Sequence, residues 1–181
     1  MVKQKTTESM VERESTRIVP VTEAESLARI ADLAGVIWRA YYPGIISPEQ
    51  IDYMLARMYA PEVLRQEVQV QGIHYYGLWV DGKMVGFASH GSTAEPGVIK
   101  LHKLYLLPEW HGRGLGSRLL QHGEQQARDA GAQRLILAVN KRNTRARAAY
   151  QRNGFVIISS VTTDIGGGFL MDDFIMAKAL V

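Results

Sequence analysis

The order of the apolar segments restricts the fold of this chain more than any other feature. Apolar residues three and four positions apart indicate helices, whereas short apolar runs bounded by glycine or Asp-Gly turns indicate strands. We predict helices at residues 23–42, 48–59, 114–130 and 143–153, a further short one from residue 61, and strands at residues 17–21, 74–80, 84–90, 98–107, 135–139, 155–163 and 169–179. Because strands and helices do not alternate regularly, the order predicts an α/β (α+β) chain with a mixed sheet and helices on its faces.

Two local signals refine this pattern. Thr22, with Glu25 three residues later, is the expected N-cap of the first helix. The continuous apolar run Leu135–Val139 predicts a strand that is buried on both faces.

The composition excludes several classes of protein. The 181 residues contain no cysteine, which rules out disulfides, cysteine-ligated zinc and a cysteine nucleophile. The five histidines show no metal-ligand spacing such as H-E-x-x-H, so we expect no metal. No apolar run approaches ~20 residues, and the N-terminal segment lacks the character of a signal peptide. We therefore expect a cytoplasmic protein without a membrane partner, with a flexible tail over residues 1–15 and a single domain over residues 16–181.

A glycine-rich turn between a predicted strand and a predicted helix is the strongest local motif. It lies within Leu104–Leu120 and carries Gly112, Gly114 and Gly116. Glycine lets backbone N–H groups approach a ligand closely, and a helix N-terminus adds unpaired donors and partial positive charge. The turn therefore predicts a pyrophosphate site. A P-loop is excluded because no Gly-Lys-Ser/Thr occurs. The G-x-G-x-x-G motif of dinucleotide-binding folds is matched only in part, so a dinucleotide site is not expected.

A basic cluster gives a second clue to a polyanionic ligand. Five Lys and Arg residues fall between Lys141 and Arg152, although the net charge of the chain is only +3. Such a cluster suits a phosphorylated coenzyme or a nucleic acid. No aromatic interleaving or nucleic-acid motif accompanies it, so we expect no nucleic-acid partner, but this alternative stays open.

Two motifs together resemble the GNAT superfamily of N-acetyltransferases. His111–Gly116 is similar to its acetyl-CoA signature, Q/R-x-x-G-x-G/A, although His111 departs from the usual Gln or Arg. Asn143–Phe155 resembles the family's N-x-x-A-x-x-x-Y-x-x-x-G-F helix, about 30 residues further on in the expected order. The last segment, Met171–Lys178, is similar to that of polyamine acetyltransferase-like members.

The resemblance implies the GNAT fold and the chemistry of acetyl transfer. The fold is a mixed, mostly antiparallel central sheet of about six to seven strands flanked by about four helices. The implied activity moves an acetyl group from acetyl-CoA, the cosubstrate, to a primary amine of a small molecule or peptide, with no metal. The positions that match the family's coenzyme contacts are Leu106, Leu107, His111, Gly112, Arg113, Gly114, Leu115, Gly116, Ser117, Asn140, Asn143 and Arg147.

The resemblance also suggests two catalytic residues. Tyr150 matches the family tyrosine that lies near the coenzyme sulfur, so we predict it to be the general acid. His102 stands where many members carry a glutamate, two residues before Leu104, so it is the candidate general base. The oxyanion donor is expected to be a backbone N–H near Leu106 or Leu107.

The acceptor cannot be deduced from these motifs. Asp172 and Asp173 are adjacent on a predicted strand, so only one of them can point into a site that attracts a cationic substrate. Two other functions stay open: a non-catalytic acyl-CoA sensor, and a nucleic-acid-binding protein that uses the Lys141–Arg152 cluster. The family resemblance alone also suggests a homodimer.

Overall fold

The central feature of the computed structural model, which describes residues 15–180, is one seven-stranded sheet. Its strands lie in the order β1–β2–β3–β4–β5–β7–β6, and only the β4–β5 pair is parallel. The mixed, mostly antiparallel sheet that we predicted is therefore confirmed. The tail predicted over residues 1–15 lies, apart from Ser15, outside the described residues. The strand bounds are β1 Thr16–Val21, β2 His74–Val80, β3 Lys83–Ser92, β4 Val98–Leu106, β5 Arg134–Asn140, β6 Val156–Gly166 and β7 Phe169–Ala179.

Helices cover both faces of this sheet. Within residues 15–180 there are five α-helices rather than about four, because the short segment from Pro61 forms one of its own: α1 Ala24–Tyr41, α2 Pro48–Met58, α3 Pro61–Gln69, α4 Leu115–Asp129 and α5 Thr144–Arg152. Helices α1 to α3 pack on one face, where the ring centroids of Trp38 and Tyr105 are 5.7 Å apart. Helices α4 and α5 lie on the other face and are joined by a hydrogen bond from Asn153 Nδ2 to Ser117 Oγ.

Capping side chains set several helix ends. Ser47 Oγ accepts a hydrogen bond from the Gln50 N–H at the start of α2, and Asn143 Oδ1 accepts one from the Ala146 N–H at the start of α5. The predicted Thr22 cap is wrong. The N-cap of α1 is Glu23, which makes no side-chain capping bond, and the Thr22 hydroxyl lies against the Glu23 carboxylate instead.

Strands β4 and β5 separate part-way along their length. Their pairing runs from Val98 with Arg134 to Leu101 with Leu137 and then stops. The ends of both strands therefore border an opening in the middle of the sheet. The prediction that residues 135–139 are buried on both faces is wrong for this reason: Leu137 is buried, whereas Ala138 is exposed and lines the opening.

A β-bulge coincides with this separation. On β3, Ser89 pairs with Lys103 and the next residue, His90, pairs with Leu101, so His102 is an extra residue in β4. Bulges bend the strand that carries them and increase its twist. His102 directly follows the last β4 residue paired with β5, so the bulge accounts for the departure of β4 from β5.

Candidate active site

A cavity of about 600 Å³ occupies the opening between β4 and β5. It is bordered by the glycine turn, helix α5, the end of α1 and one face of α2. The sequence-predicted site residues that line it are His102, Leu106, His111, Gly112, Gly114, Gly116, Ser117, Asn140, Asn143 and Tyr150. The fold thus brings residues more than 40 positions apart in the chain to one cavity.

The glycine turn has the features of a phosphate cradle. A Cβ added to Gly112, Gly114 or Gly116 would meet no atom within 4 Å, so the space in front of the turn is open. Gly112 and Gly114 have φ values of +80° and +76°, which favour glycine, whereas the φ of Gly116 gives no such reason. The first helical hydrogen bond runs from the Arg118 N–H to the Gly114 carbonyl oxygen, so the preceding N–H groups lie ahead of the helical ladder. The residues present therefore fit the pyrophosphate of a coenzyme.

The side chains beside this cradle offer a bound coenzyme fewer contacts than the sequence suggested. Arg113 does not line the cavity, and its guanidinium lies 4.6 Å from the centroid of the Trp110 ring. The Leu115 side chain is buried in the core, so only its backbone can face a ligand. His111 Nε2 lies 3.0 Å from the Leu106 carbonyl oxygen, which ties the turn to the end of β4.

The backbone at the end of β4 offers one free donor to the cavity. Leu107 N–H donates to the Val85 carbonyl oxygen at 2.9 Å, so the expectation that Leu107 provides the oxyanion donor is corrected. Hydrogen-bonding direction alternates along an antiparallel strand, so Leu106 directs its N–H away from β3. That side of β4 has no partner strand beyond Leu101. The N–H of Leu106 therefore points toward the opening.

Tyr150 lies in a cluster of tyrosines at the cavity. Burial raises the pKa of its hydroxyl, and the neighbouring Tyr41 raises it further, so Tyr150 stays protonated at neutral pH. Within residues 15–180 the Tyr150 hydroxyl has no hydrogen-bond partner, while the Tyr41 hydroxyl donates to Asn143 Oδ1 at 2.8 Å. The arrangement leaves one protonated phenol available to a ligand.

His102 lies on the same side of the sheet as α3, near the position a Gly91 side chain would occupy. Its ring lines the cavity and is partly open to it. Burial lowers the pKa of His102 to about 4, and the positive charges of Lys100 and Lys103 contribute to the decrease. The imidazole is therefore neutral at neutral pH, but it is a weaker base than an ordinary histidine.

Some of the predicted site residues around the start of α5 stabilise the fold, whereas others line the cavity. Asn140 Oδ1 accepts from the Arg142 N–H, and Asn143 caps α5, so both side-chain oxygens already have partners. Arg147 does not line the cavity: it donates to the Lys141 carbonyl oxygen and lies over the Phe174 ring. The coenzyme role of Arg147 stays a prediction, and this placement does not support it. The arginines of α5 that do line the cavity are Arg145 and Arg152.

Helical geometry explains why Arg145 lines the cavity and Arg147 does not. Residues two positions apart on a helix face nearly opposite directions, so Arg145 and Arg147 cannot both face the same ligand. The sequence alone does not say which of the two faces the cavity. The basic cluster is also not one continuous surface, because Lys141 pairs with Asp172 and Arg142 donates to the Gly44 carbonyl oxygen.

Two groups of charged residues lie in the cavity: the Lys103–Glu67 pair, which the sequence did not indicate, and Asp173, one of the two adjacent aspartates considered for a cationic substrate. Lys103 is only 3% exposed and donates to both carboxylate oxygens of Glu67, at 2.8 and 2.7 Å. The Tyr75 hydroxyl also donates to Glu67. Asp173 lines the cavity at 5% exposure, and burial raises the pKa of its carboxyl. In contrast, Asp172 on the opposite side of the strand is exposed and accepts from Thr162.

Within residues 15–180, no group of three or more His, Asp or Glu side chains is placed to hold a metal ion. In the same part of the chain, no helix has both the length and the apolar character needed to cross a membrane.

Comparison with known proteins decides the family. The sequence profile described as the acetyltransferase (GNAT) family matches residues 33–155, which is more than half of the chain. The chain belongs to the GNAT family of acetyltransferases. The part that matches the GNAT profile contains the glycine turn, His102 and Tyr150, and the predicted GNAT fold is confirmed.

Individual relatives extend the match across the chain. An uncharacterised N-acetyltransferase of Mycobacterium tuberculosis is 37% identical over 103 residues, which are 56% of this GNAT chain and 64% of the relative. The match thus spans less than two thirds of that relative. The spermidine N(1)-acetyltransferase of Thermoplasma acidophilum is 30% identical over 158 residues, which are 85% of this chain and 91% of the relative. The crystal structure of PaiA N-acetyltransferase from T. acidophilum in complex with coenzyme A has a TM-score of 0.76 and 29% identity, and covers 91% of this chain and 99% of that one.

Proposed function

We propose that this protein is an N-acetyltransferase that moves the acetyl group of acetyl-CoA to a primary amine. The observation that carries the proposal is the opening between β4 and β5, where the free Leu106 N–H, the glycine cradle and the Tyr150 hydroxyl border one cavity. Membership of the GNAT family and the likeness to a relative crystallised with coenzyme A support it.

Each residue has a distinct chemical task in this proposal. Acetyl-CoA supplies a thioester, which is open to attack by a neutral amine. The N–H groups of Gly112, Gly114 and Gly116 would hold the pyrophosphate, with Arg145 and Arg152 as nearby positive charges. The Leu106 N–H would donate to the carbonyl oxygen as it gains negative charge.

Proton transfer completes the chemistry. A lysine-like ammonium has a pKa near ~10.4, so the acceptor must lose a proton before it attacks. In the transfer the C–N bond forms and the C–S bond breaks. We assign to Tyr150, whose raised pKa keeps the phenol protonated, the proton that the departing sulfur gains, and the proton that the new amide nitrogen loses restores the Tyr150 hydroxyl. His102 remains the candidate base, but its pKa of about 4 favours a minor role.

The acceptor that we propose to test first is a polyamine. The relative with the longest match named above is a spermidine N(1)-acetyltransferase, and it covers 85% of this chain. The last strand also resembles polyamine acetyltransferase-like members. These likenesses support the choice of acceptor panel.

Two further proposals concern the setting of the enzyme. We propose a cytoplasmic location, where acetyl-CoA is available. We also propose a homodimer formed through β6, because this edge strand exposes Val156, Ile157, Ile158 and Val161, with exposed fractions of 39–61%. An exposed apolar edge strand is a ready site for pairing with another chain.

Binding and turnover together test the proposed activity. Calorimetry should detect saturable binding of acetyl-CoA, and a thiol-release assay should show coenzyme A formation that depends on an amine, with spermidine and putrescine first. Binding without amine-dependent release across the panel would favour an acyl-CoA sensor. If millimolar acetyl-CoA does not bind, the proposal fails, and salt-dependent retention on DNA would then test the nucleic-acid alternative.

A further inference from the structure

The cavity contains a buried carboxylate that the proposed chemistry does not use. Asp173 lies on β7, opposite Asn140 of β5, and is 5% exposed. Its Oδ1 is buried without a hydrogen-bond donor, so a ligand in the cavity can contact the carboxylate only through Oδ2, and within residues 15–180 the carboxylate has no ion pair. A buried carboxylate without a partner is costly, and a cationic ligand that donates to Oδ2 from the cavity would offset that cost.

The surroundings of Asp173 define the chemistry of that donor. Lys100 and Lys141 are both close enough to lower the pKa of Asp173, yet neither amine forms an ion pair with its carboxylate, and Lys141 pairs with Asp172 instead. Met171 and Ala138 line the same part of the cavity and offer no charge. The other acid that lines the cavity, Glu67, is already occupied by Lys103 and Tyr75. Asp173 is therefore the acidic group of the cavity that an incoming cation can reach.

The strand order sets the distance that a ligand must span to contact both Asp173 and Leu106. Asp173 lies on β7, two strands from β4; paired strands are ~4.8 Å apart, and β4 is no longer paired with β5 at Leu106, so the carboxylate is at least ~10 Å from the Leu106 backbone. A single ammonium group cannot be at both places. An acceptor with two amines separated by a chain of several methylenes can place one at each.

We infer that Asp173 binds the second ammonium group of a diamine or polyamine acceptor while the first amine is acetylated beside Leu106. This inference deepens the proposed N-acetyltransferase function and rests on it. Asp173 is thus a specificity-determining residue that touches the substrate at a distance from the reacting atoms. A monoamine acceptor of the same length lacks this contact.

The neighbouring aspartate provides a matched control. Asp173→Asn keeps the shape of the side chain and removes the charge, and Asp172→Asn makes the same change on the opposite side of the strand. Each variant is assayed by thiol release with 1,4-diaminobutane and 1,6-diaminohexane, and with the monoamines butylamine and hexylamine. The melting temperature of each variant shows whether it is folded. Asp173→Asn should melt no lower than the wild type, because it removes an unpartnered buried charge.

The inference makes a specific kinetic prediction. Asp173→Asn should raise KM for the diamines at least about tenfold, because one partner of a buried charge pair is lost. Its kinetics with the monoamines, and those of Asp172→Asn with all four acceptors, should stay within about twofold of the wild type, because neither case involves that pair.

Other outcomes overturn the inference in distinguishable ways. An equal loss with diamines and monoamines would place Asp173 at the reacting amine instead, and unchanged KM values would mean that it contacts no acceptor. If the wild type releases no thiol with any amine, the proposed function itself fails.

Discussion

Replacing Gly114 with alanine separates the folding role of the glycine turn from its role in binding. Gly114 has a φ of +76°, and a Cβ at this position would meet no atom within 4 Å. The substitution therefore causes no clash, and its cost to folding is the backbone strain of about 1–2 kcal/mol for a left-handed conformation. In a chain of this size that cost lowers the melting temperature by about 2–8 °C.

The effect on coenzyme binding should be larger than this strain implies. The added methyl group points into open space at the cavity, where the pyrophosphate must approach the N–H groups. Loss of one hydrogen bond to a charged group costs about 1.5–3 kcal/mol, which weakens acetyl-CoA binding about ten- to 150-fold. Calorimetry at a temperature well below the melting point of both proteins measures this ratio.

Gly131 is the matched control for this experiment. It lies just after the other end of the same helix, α4, with a φ of +77°, and a Cβ there would also meet no atom within 4 Å. It does not line the cavity. Gly131→Ala should therefore lower the melting temperature by a similar amount and leave coenzyme affinity unchanged. Equal affinities in the two variants would refute the phosphate cradle.

Four further predictions concern catalysis and stability. Tyr150→Phe should lower kcat about 10²- to 10⁴-fold with little change in coenzyme affinity, since it removes only the proton donor; an unchanged kcat would exclude this role. The pKa of His102 is already about 4, so His102→Gln should leave the pH profile of kcat/KM between pH 5 and 8 unchanged. If the wild-type profile falls below pH ~6.5 and the variant profile does not, His102 is the general base after all. Burial lowers the pKa of His90 to about 4, so below pH ~6.5 the unfolded chain takes up a proton that the folded protein does not. The free energy of unfolding should therefore be highest above pH ~6.5 and fall by up to about 3 kcal/mol as the pH falls toward 4, which urea unfolding across that range measures. Lys103→Met should lower the free energy of unfolding by about 3–5 kcal/mol, because it leaves Glu67 without its buried partner; a loss below ~1 kcal/mol would contradict this.

The sequence was sufficient to predict the features that depend on local pattern. The glycine turn, the helix predicted at residues 143–153 and the position of Tyr150 follow from residues close together in the chain, and the structure has a turn and helices where they were expected. The family resemblance then supplied the arrangement of the sheet. The chemical roles of these residues stay predictions.

The features that the sequence did not reveal depend on contacts between distant segments. The guanidinium of Arg147 lies over the Phe174 ring, and the Leu107 N–H donates to a carbonyl oxygen of β3. The Lys103 ion pair joins β4 to α3, 36 positions away in sequence. Nothing near these residues in the chain reports such partners, so local pattern could not predict them.

The bulge at His102 also means that β4 has one residue more than its core packing needs. Leu101 approaches Gly123 of α4, whereas Lys103 bonds to Glu67 of α3, so these two side chains already lie on opposite sides, as directly consecutive residues would. A chain that lacked residue 102 could keep every flanking side chain on its present side and complete the ladder with β3. The extra residue is therefore dispensable for folding, and natural or engineered deletions at this point would be expected to give stable proteins whose sheet is continuous and whose acetyl-transfer site is closed.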